Sequence, residues 1–185
     1  MKKTLLFSLL LPIICTSCLK TRVNNENVFP AETQEGKNTF GCFINGQAFI
    51  AATTLFGLVR PVNVYYYKDS TAYHKAGFLS INGTDARSSM DIAGDIMINK
   101  QQVFGTGTYN LQPVANCGTA NGCDDIVYSN VKANKPYFGE YGTLTVTKLD
   151  TLNKIVSGRF SFVAKDTLGN SVQITAGRFD AKYLN

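Results

Sequence analysis

The sequence contains no tryptophan and only one histidine, and charged residues make up 17% of its 185 residues. So low a charge content is not that of a coiled coil, and the 44% hydrophobic content excludes wholesale disorder. The lack of tryptophan counts against a carbohydrate binder, and the single histidine counts against an enzyme that depends on imidazole. A chain of this length corresponds to one domain with short additions.

Strand-forming and turn-forming residues are what the sequence has in abundance. It contains 18 Thr, 16 Asn and 16 Gly, together with 12 Phe and 9 Tyr. Threonine and aromatic residues favour strands, whereas asparagine and glycine favour the turns between them. The composition therefore predicts an all-β domain.

Long apolar runs are absent except near the N-terminus. Lys2 and Lys3 precede an apolar stretch over residues 5–14 that only Ser8 and Pro12 interrupt. A basic start followed by about ten apolar residues is typical of a secretory signal, and it falls short of the ~20 residues that span a bilayer. We therefore predict an exported protein with a signal peptide over residues 1–17.

Small residues and a cysteine follow the apolar stretch. Thr16 and Ser17 immediately precede Cys18, as in a bacterial lipobox, whereas Cys15 follows two isoleucines that fit the pattern poorly. Cys18 is therefore the predicted acylated N-terminus, and the attached acyl chains, palmitate among them, would anchor the chain in the membrane. Residues 18–37 are mostly polar and predict a flexible tether, with a single β domain over residues 38–185.

The charge balance bears on possible partners. Removal of residues 1–17 takes away two lysines and no acid, so the formal charge falls from +5 to +3. Such a weak and scattered charge does not predict nucleic-acid binding. The membrane, reached through the lipid, is the one partner that the sequence indicates.

Three cysteines remain after the predicted cleavage and acylation, and export favours their pairing. Cys117 and Cys123 flank a turn-rich segment, so we expect a local disulfide between them. The alternative is a bridge from Cys42 to one of these two. One histidine and three cysteines match no zinc-ligand spacing, so we expect neither a metal site nor a cofactor.

Alternating segments and turn signals divide the rest of the chain into nine or ten strands. Asn45-Gly46 predicts a type I′ hairpin turn, Asn82-Gly83 a second turn, and residues 150–153 connect a C-terminal hairpin. A phase switch near Ala176-Gly177 predicts a β-bulge, and residues 53–58 could form a helical turn. We expect an antiparallel β-sandwich of about 9–10 strands, with a lipocalin-like β-barrel as the alternative.

Five segments of residues 38–183 form a set of strand motifs: Thr39-Phe40-Gly41-Cys42 with Asn45-Gly46, Gly107-Thr108-Tyr109-Asn110-Leu111, residues 142–150, Ser157-Gly158-Arg159-Phe160-Ser161-Phe162 and Gly177-Arg178-Phe179-Asp180. Together they resemble one family, the uncharacterised lipoproteins of the Bacteroidota with a domain of unknown function. The resemblance implies an outer-membrane lipoprotein with a β-rich domain and supplies no catalytic residue. Surface-exported members carry acids directly after the acylated cysteine; here the first acid is Glu26, which favours the periplasmic face.

Tyr65 and Tyr67 are the candidate ligand-binding residues. Consecutive strand residues alternate between faces, so these two should share a side opposite Val62, Val64 and Tyr66. Two neighbouring tyrosine rings on an exposed face could bind a sugar or a peptide. Packing beneath a neighbouring loop is the plainer explanation.

The remaining polar residues predict no catalytic site. His74 lacks a recognisable nucleophile partner and is expected at the surface or a strand edge. Asp91 and Asp95, on one strand, would lie roughly 13 Å apart, too far for joint metal binding. Asp124-Asp125 matches no Ca²⁺-loop spacing.

We therefore expect a lipid-anchored envelope protein whose β domain has a non-catalytic binding or structural role, with a protein or a glycan as partner. A carrier of a small apolar ligand inside a barrel is the alternative. A hydrolase is a third possibility that no motif supports.

Overall fold

A computed structural model describes residues 29–52, 60–87, 91–112 and 124–184. These residues form ten strands and contain no helix long and apolar enough to cross a membrane. In chain order the strands are β1 (Thr39–Ile44), β2 (Gln47–Ile50), β3 (Val62–Tyr67), β4 (Phe78–Asp85), β5 (Gly94–Lys100), β6 (Gly107–Leu111), β7 (Asp125–Asn130), β8 (Lys135–Asp150), β9 (Ile155–Lys165) and β10 (Ser171–Lys182). The all-β prediction is confirmed.

The strands form one antiparallel sheet in the order β2-β1-β10-β9-β8-β7-β5-β4-β3, with β6 paired to β8 beside this path. The sheet is curled into a half-barrel, which is consistent with either the sandwich or the barrel expected from the sequence. Its ends approach each other through two isolated bridges, Tyr65 with Leu184 and Ala52 with Asp85. The curled sheet thus has an inner, core-facing side and an outer side, here called the outer face.

The two hairpins expected from turn residues are confirmed. Asn45 and Gly46 both adopt positive φ, 47° and 83°, as a type I′ turn between β1 and β2 requires. The turn between β8 and β9 is held by Asp150, whose Oδ1 accepts hydrogen bonds from the backbone of Leu152 (3.1 Å) and Asn153 (2.9 Å). In both cases local residue chemistry determines the connection.

The second Asn-Gly pair does not form a turn. Asn82 and Gly83 lie inside β4, which continues to Asp85. A Cβ at Gly83 would lie 2.3 Å from the Phe40 ring, so glycine is needed here for close packing and not for turning.

The prediction that Asp91 and Asp95 share one strand is also wrong. Strand β5 begins only at Gly94, and Asp91 lies in the turn that precedes it.

Aromatic and aliphatic side chains fill the described interior. The Phe40 ring stacks on Phe160 with centroids 5.0 Å apart and meets Phe49 edge-on at 6.2 Å. Cys42 is a free thiol and fully buried among these residues, and burial raises its pKa well above the ordinary value. The structure therefore gives no support to a disulfide from Cys42, and its thiol packs as an apolar group.

The predicted bulge in β10 is confirmed. The register with β9 shifts between Ile174 and Gly177, and Ala176 adopts a positive φ of 49°. Val172 and Ile174 are buried before the shift, and Phe179 and Ala181 after it. The bulge changes the parity of the strand, and so it keeps both sets of apolar side chains in the core.

The described chain begins at Phe29, within the segment expected to be a tether. Residues 29–37, here called the N-terminal arm, pack against β1 and hydrogen-bond to β8, β9 and β10. The described structure thus extends nine residues before the expected boundary at residue 38. Residues 1–28, including the predicted signal peptide, and residues 53–58 of the expected helical turn lie outside the described residues.

Candidate functional site

The outer face carries a groove of about 440 Å³ above β6, β8, β9 and β10. We call it the outer groove. Its lining residues are Asn110, Gln112, Tyr141, Gly142, Thr143, Ser161, Phe162, Val163, Gln173, Ile174 and Thr175. A volume of this size lies within the range of small-molecule sites, about 300–1,000 Å³.

Two β-bulges flank the outer groove. In β8, Glu140 is an extra residue between the pairs Gly139 with Ala164 and Tyr141 with Val163. In β10, two residues stand opposite Ser161 of β9 at the register shift between Ile174 and Gly177. Because a bulge bends its strand and increases the local twist, a pair of them makes a concave site in an otherwise convex face.

The outer groove combines uncharged polar side chains with a larger apolar surface. Asn110, Gln112 and Gln173 supply amides, and Thr143, Ser161 and Thr175 supply hydroxyls, with Thr143 Oγ1 3.3 Å from Ser161 Oγ. Phe162 and Ile174 belong to the core, so they line the groove mainly with backbone. The available hydrogen-bonding groups can each donate and accept.

Tyr141 provides the large apolar surface of the outer groove. Its side chain is 58% exposed, next to the bulge at Glu140. Tyr141 pairs with Val163 in the same regular register that joins Thr143 with Ser161, so the alternation of β8 places its ring on the outer face. Glu140 is the extra residue between this ring and the buried Gly139, and the bulge leaves both Glu140 and Tyr141 exposed.

A second, charged depression of about 360 Å³ continues from the outer groove. The two share Thr143 and Ser161, and the second adds Glu32, Arg159 and Arg178. Arg159 Nε donates to Glu32 Oε1 at 2.9 Å, and this bond raises the pKa of Arg159 above its ordinary value. The N-terminal arm thus forms one wall of the charged depression.

Asp180 fastens the N-terminal arm to the sheet. Its carboxylate accepts hydrogen bonds from the Thr33 hydroxyl (2.5 Å), the Gly36 backbone (2.7 Å) and the Ser157 hydroxyl (2.7 Å). The backbone N–H groups of Glu35 (3.1 Å) and Lys37 (3.2 Å) donate as well. Asp180 is a buried carboxylate, so its charge is stabilised by these neutral donors.

The donors also determine the pKa of Asp180. Burial acts to raise the pKa, but the hydrogen bonds from Thr33, Ser157, Gly36 and Lys37 outweigh it, and the pKa lies below the ordinary value. Asp180 is therefore a carboxylate at neutral pH and serves as a structural acceptor.

The start of the N-terminal arm rests on β1. The Phe29 ring stacks on Phe43 with centroids 4.7 Å apart. The same ring also contacts Arg178, whose guanidinium lies 4.6 Å from the Phe29 ring centroid. Pro30 packs so closely on Gly41 that a Cβ there would lie 2.8 Å from the proline ring. These contacts hold the arm along the sheet up to its first described residue.

Tyr65 and Tyr67 lie on the same side of β3, opposite three buried residues, as the alternation required. Tyr65 is 38% exposed, whereas the Tyr67 ring packs against His74 (5.2 Å) and Phe78 (6.2 Å). The groove of about 360 Å³ along β3 is lined by other residues, among them Arg60, Asn63 and Lys182, and by neither tyrosine. The structure therefore does not bring the two rings together in a concave site, and ligand binding by them stays a prediction.

The polar residues considered for chemistry have structural partners. The His74 ring stacks on Phe78 at 4.0 Å, and its Nδ1 is buried without a hydrogen-bond partner. Asp124 forms an ion pair with Lys100 and accepts from the Gln101 backbone at 2.9 Å, while burial raises the pKa of Asp125. Within the described ranges, no three His, Cys, Asp or Glu residues lie close enough to hold a metal ion.

Three predicted sites lie outside the described residues: the lipidation site at Cys18 and the disulfide cysteines Cys117 and Cys123. The outer groove, by contrast, was not predicted from the sequence. Its hydroxyls come from three strands, Thr143 of β8, Ser161 of β9 and Thr175 of β10, and its β10 side follows from the phase switch near Ala176. Nothing local in the sequence marks the bulge at Glu140 beside Tyr141.

Comparison of the chain with protein-family models, with curated proteins and with solved structures found no match. The candidate site therefore rests on the geometry and chemistry of its own residues.

Proposed function

We propose that this chain is a lipid-anchored outer-membrane lipoprotein whose β domain binds a ligand in the outer groove and performs no chemistry on it. One observation carries the proposal. Between two bulges, an uncharged set of amides and hydroxyls converges around the exposed Tyr141 ring. A concave site with a few convergent polar groups is the usual form of a binding site.

The groups around the outer groove favour binding over catalysis. The hydroxyls of Thr143 and Ser161 lie beside each other, and no base lies among the lining residues. Asp180, a buried carboxylate on the same face of β10, is occupied by five donors. Activation of a hydroxyl nucleophile needs an adjacent base, which the described lining lacks.

The described interior favours the outer face over an internal ligand. A carrier of a small apolar molecule needs a cavity lined by apolar side chains. Phe40, Phe49, Phe160 and Phe162 instead pack against one another in the core. The ligand is therefore expected outside the sheet.

The sequence and the arm support the anchor. The lipobox ending at Cys18 supplies the acylation site, and the resemblance to Bacteroidota lipoproteins points to the outer membrane. Because the described arm begins at Phe29, eleven peptide steps separate it from Cys18. These steps reach at most about 40 Å, so the groove would stay close to the bilayer. Because no acidic residue directly follows Cys18, we place the domain on the periplasmic face of the membrane.

Site-specific photo-cross-linking in cells tests the binding role. A photoreactive residue at Thr143 should give a discrete adduct that disappears in Tyr141→Ala. The same probe at Val131, which is 66% exposed in the turn between β7 and β8, serves as control. Equal labelling at both positions, or an adduct that Tyr141→Ala leaves unchanged, would reject the groove as a binding site.

The anchor is tested separately. Mass spectrometry of the N-terminal peptide should show an acylated Cys18, and Cys18→Ala should move the protein from the membrane fraction to the soluble fraction. An unmodified Cys18 in a membrane-associated protein would overturn this part of the proposal. Release of the domain by protease shaving of intact cells would contradict the periplasmic placement.

A further inference from the structure

We propose that the ligand of the outer groove is a neutral saccharide. This inference rests on the proposed binding function and adds the chemical class of the ligand.

The lining of the outer groove carries no charge. Its side-chain amides and hydroxyls come from Asn110, Gln112, Thr143, Ser161, Gln173 and Thr175. A phosphate or carboxylate ligand is normally bound by Arg or Lys, because charge-assisted hydrogen bonds repay the loss of its water. In the adjoining depression, Arg159 is paired with Glu32, and Arg178 donates to the Pro30 carbonyl and lies over the Phe29 ring. The groove therefore fits a neutral ligand better than an anion.

The lining groups match the hydroxyls of a sugar. Each sugar hydroxyl both donates and accepts, and so do amide and hydroxyl side chains. Six such side chains line the groove, and most of them are exposed rather than used up in the fold. An apolar ligand would remove these groups from water without replacing their hydrogen bonds.

Tyr141 adds the apolar contact that a pyranose ring needs. Sugar rings have C–H faces as well as hydroxyls, and a tyrosine side chain combines an apolar ring with a polar tip. At 58% exposure, the Tyr141 ring has free surface on the edge of the groove. The absence of tryptophan therefore does not exclude a saccharide, since a tyrosine provides the aromatic surface.

The backbone beneath the groove disfavours an extended peptide. Peptides that add to a sheet pair with free backbone groups at an edge strand. Here the floor strands β8 and β9 pair along the groove, Gly142 with Phe162 and Thr143 with Ser161, and β9 pairs with β10 through Val163 and Gln173. Recognition on the floor of β8, β9 and β10 must therefore come from side chains, as it does for a saccharide. Only β6, which pairs with β8 alone among the described strands, borders the groove as an edge strand.

Isothermal titration of the full-length lipidated protein, in a detergent without a sugar head group, tests the inference. The probes are neutral oligosaccharides of glucose, mannose, xylose and N-acetylglucosamine, with oligogalacturonate as the acidic comparator. We expect at least one neutral probe to bind with a Kd below about 1 mM. Tyr141→Ala should weaken that binding by about tenfold or more, and Thr175→Val should weaken it by about threefold.

Tyr73→Ala is the matched control, because Tyr73 is 75% exposed and lies outside the groove. This variant should keep the wild-type affinity, and thermal unfolding should show that all three variants fold. Absence of neutral binding, tighter binding of oligogalacturonate, or equal losses in Tyr141→Ala and Tyr73→Ala would overturn the saccharide. If the Thr143 cross-link still forms in that case, the binding function stands and only the ligand class is wrong.

Discussion

The two halves of β10 both contribute side chains to the outer face, but those of the first half are exposed whereas Asp180 in the second half is buried. Before the bulge, Gln173 and Thr175 are exposed and line the outer groove. After it, Asp180 is buried, because the N-terminal arm covers it and donates to its carboxylate. One half is thus occupied by a segment of the same chain through hydrogen bonds, whereas the other half offers unoccupied hydrogen-bonding groups to a ligand. The covered half shows that this face can bind a polar chain when the polar groups are satisfied.

The largest effect is expected from removing the carboxylate that holds the arm. Asp180→Ala leaves the N–H groups of Gly36 and Lys37 and the Ser157 hydroxyl without their acceptor. Unsatisfied buried donors cost about 1–3 kcal/mol each, partly recovered by water, so we expect a loss of about 3 kcal/mol in the free energy of unfolding. Urea unfolding measures this loss.

The exposed Asp69 provides the control, since Asp69→Ala should leave the urea midpoint close to wild type. Asp180→Asn keeps one acceptor and should fall between the two. If Asp180→Ala were as stable as Asp69→Ala, the arm would not be held by this carboxylate.

The boundary between the two halves is tested by Gly177→Ala. A Cβ at this position would lie 2.4 Å from the Phe160 ring, so the bulge or the ring must shift. Overpacking of this kind costs about 1–3 kcal/mol, and we expect a loss of about 2 kcal/mol together with weaker binding in the adjoining groove. Gly105→Ala, where an added Cβ meets nothing within 4 Å, should have no such effect. Equal stability of the two variants would show that the bulge tolerates a side chain.

The covered half should also depend on pH. The pKa of Asp180 is lowered in the folded state, so its contribution is complete above the unfolded value of about 3.9 and is lost as the pH falls towards the folded pKa. Stability should therefore decrease between about pH 5 and pH 2, and less steeply in Asp180→Asn. Urea midpoints of both proteins across this range measure the difference. Parallel curves would show that other groups account for the acid sensitivity.

Much of the fold could be predicted because its signals are local. The positive φ angles of Asn45 and Gly46, the alternation of β3 and the phase switch in β10 each arise from a few neighbouring residues. Gly83 was misinterpreted because its reason is a tertiary contact with the Phe40 ring, which no neighbour in the sequence reveals.

The candidate site was less predictable for the same reason. The outer groove joins residues of four strands, and the bulge at Glu140 beside Tyr141 is defined only by the pairing of β8 with β9. The arm looked like a polar tether, since its donors are backbone N–H groups and its acceptor, Asp180, lies more than 140 residues away. Such long-range satisfaction of polar groups leaves no local pattern.

The smallest effect is expected at the second polar contact of the arm, the pair of Glu32 and Arg159. Their side chains are 36% and 63% exposed, and although Arg159 Nε donates at 2.9 Å, water and salt compete for both charges. A double-mutant cycle with Glu32→Gln and Arg159→Gln should give a coupling close to zero in physiological salt, because exposed pairs are worth little. The arm would then be held at Asp180, where the acceptor is buried, and by the bonds that Arg178 and Lys148 donate to its backbone, while Arg159 would add little. A coupling as large as the loss in Asp180→Ala would overturn this division, and it would mean that the charged depression, and not the buried carboxylate, keeps the arm on β10.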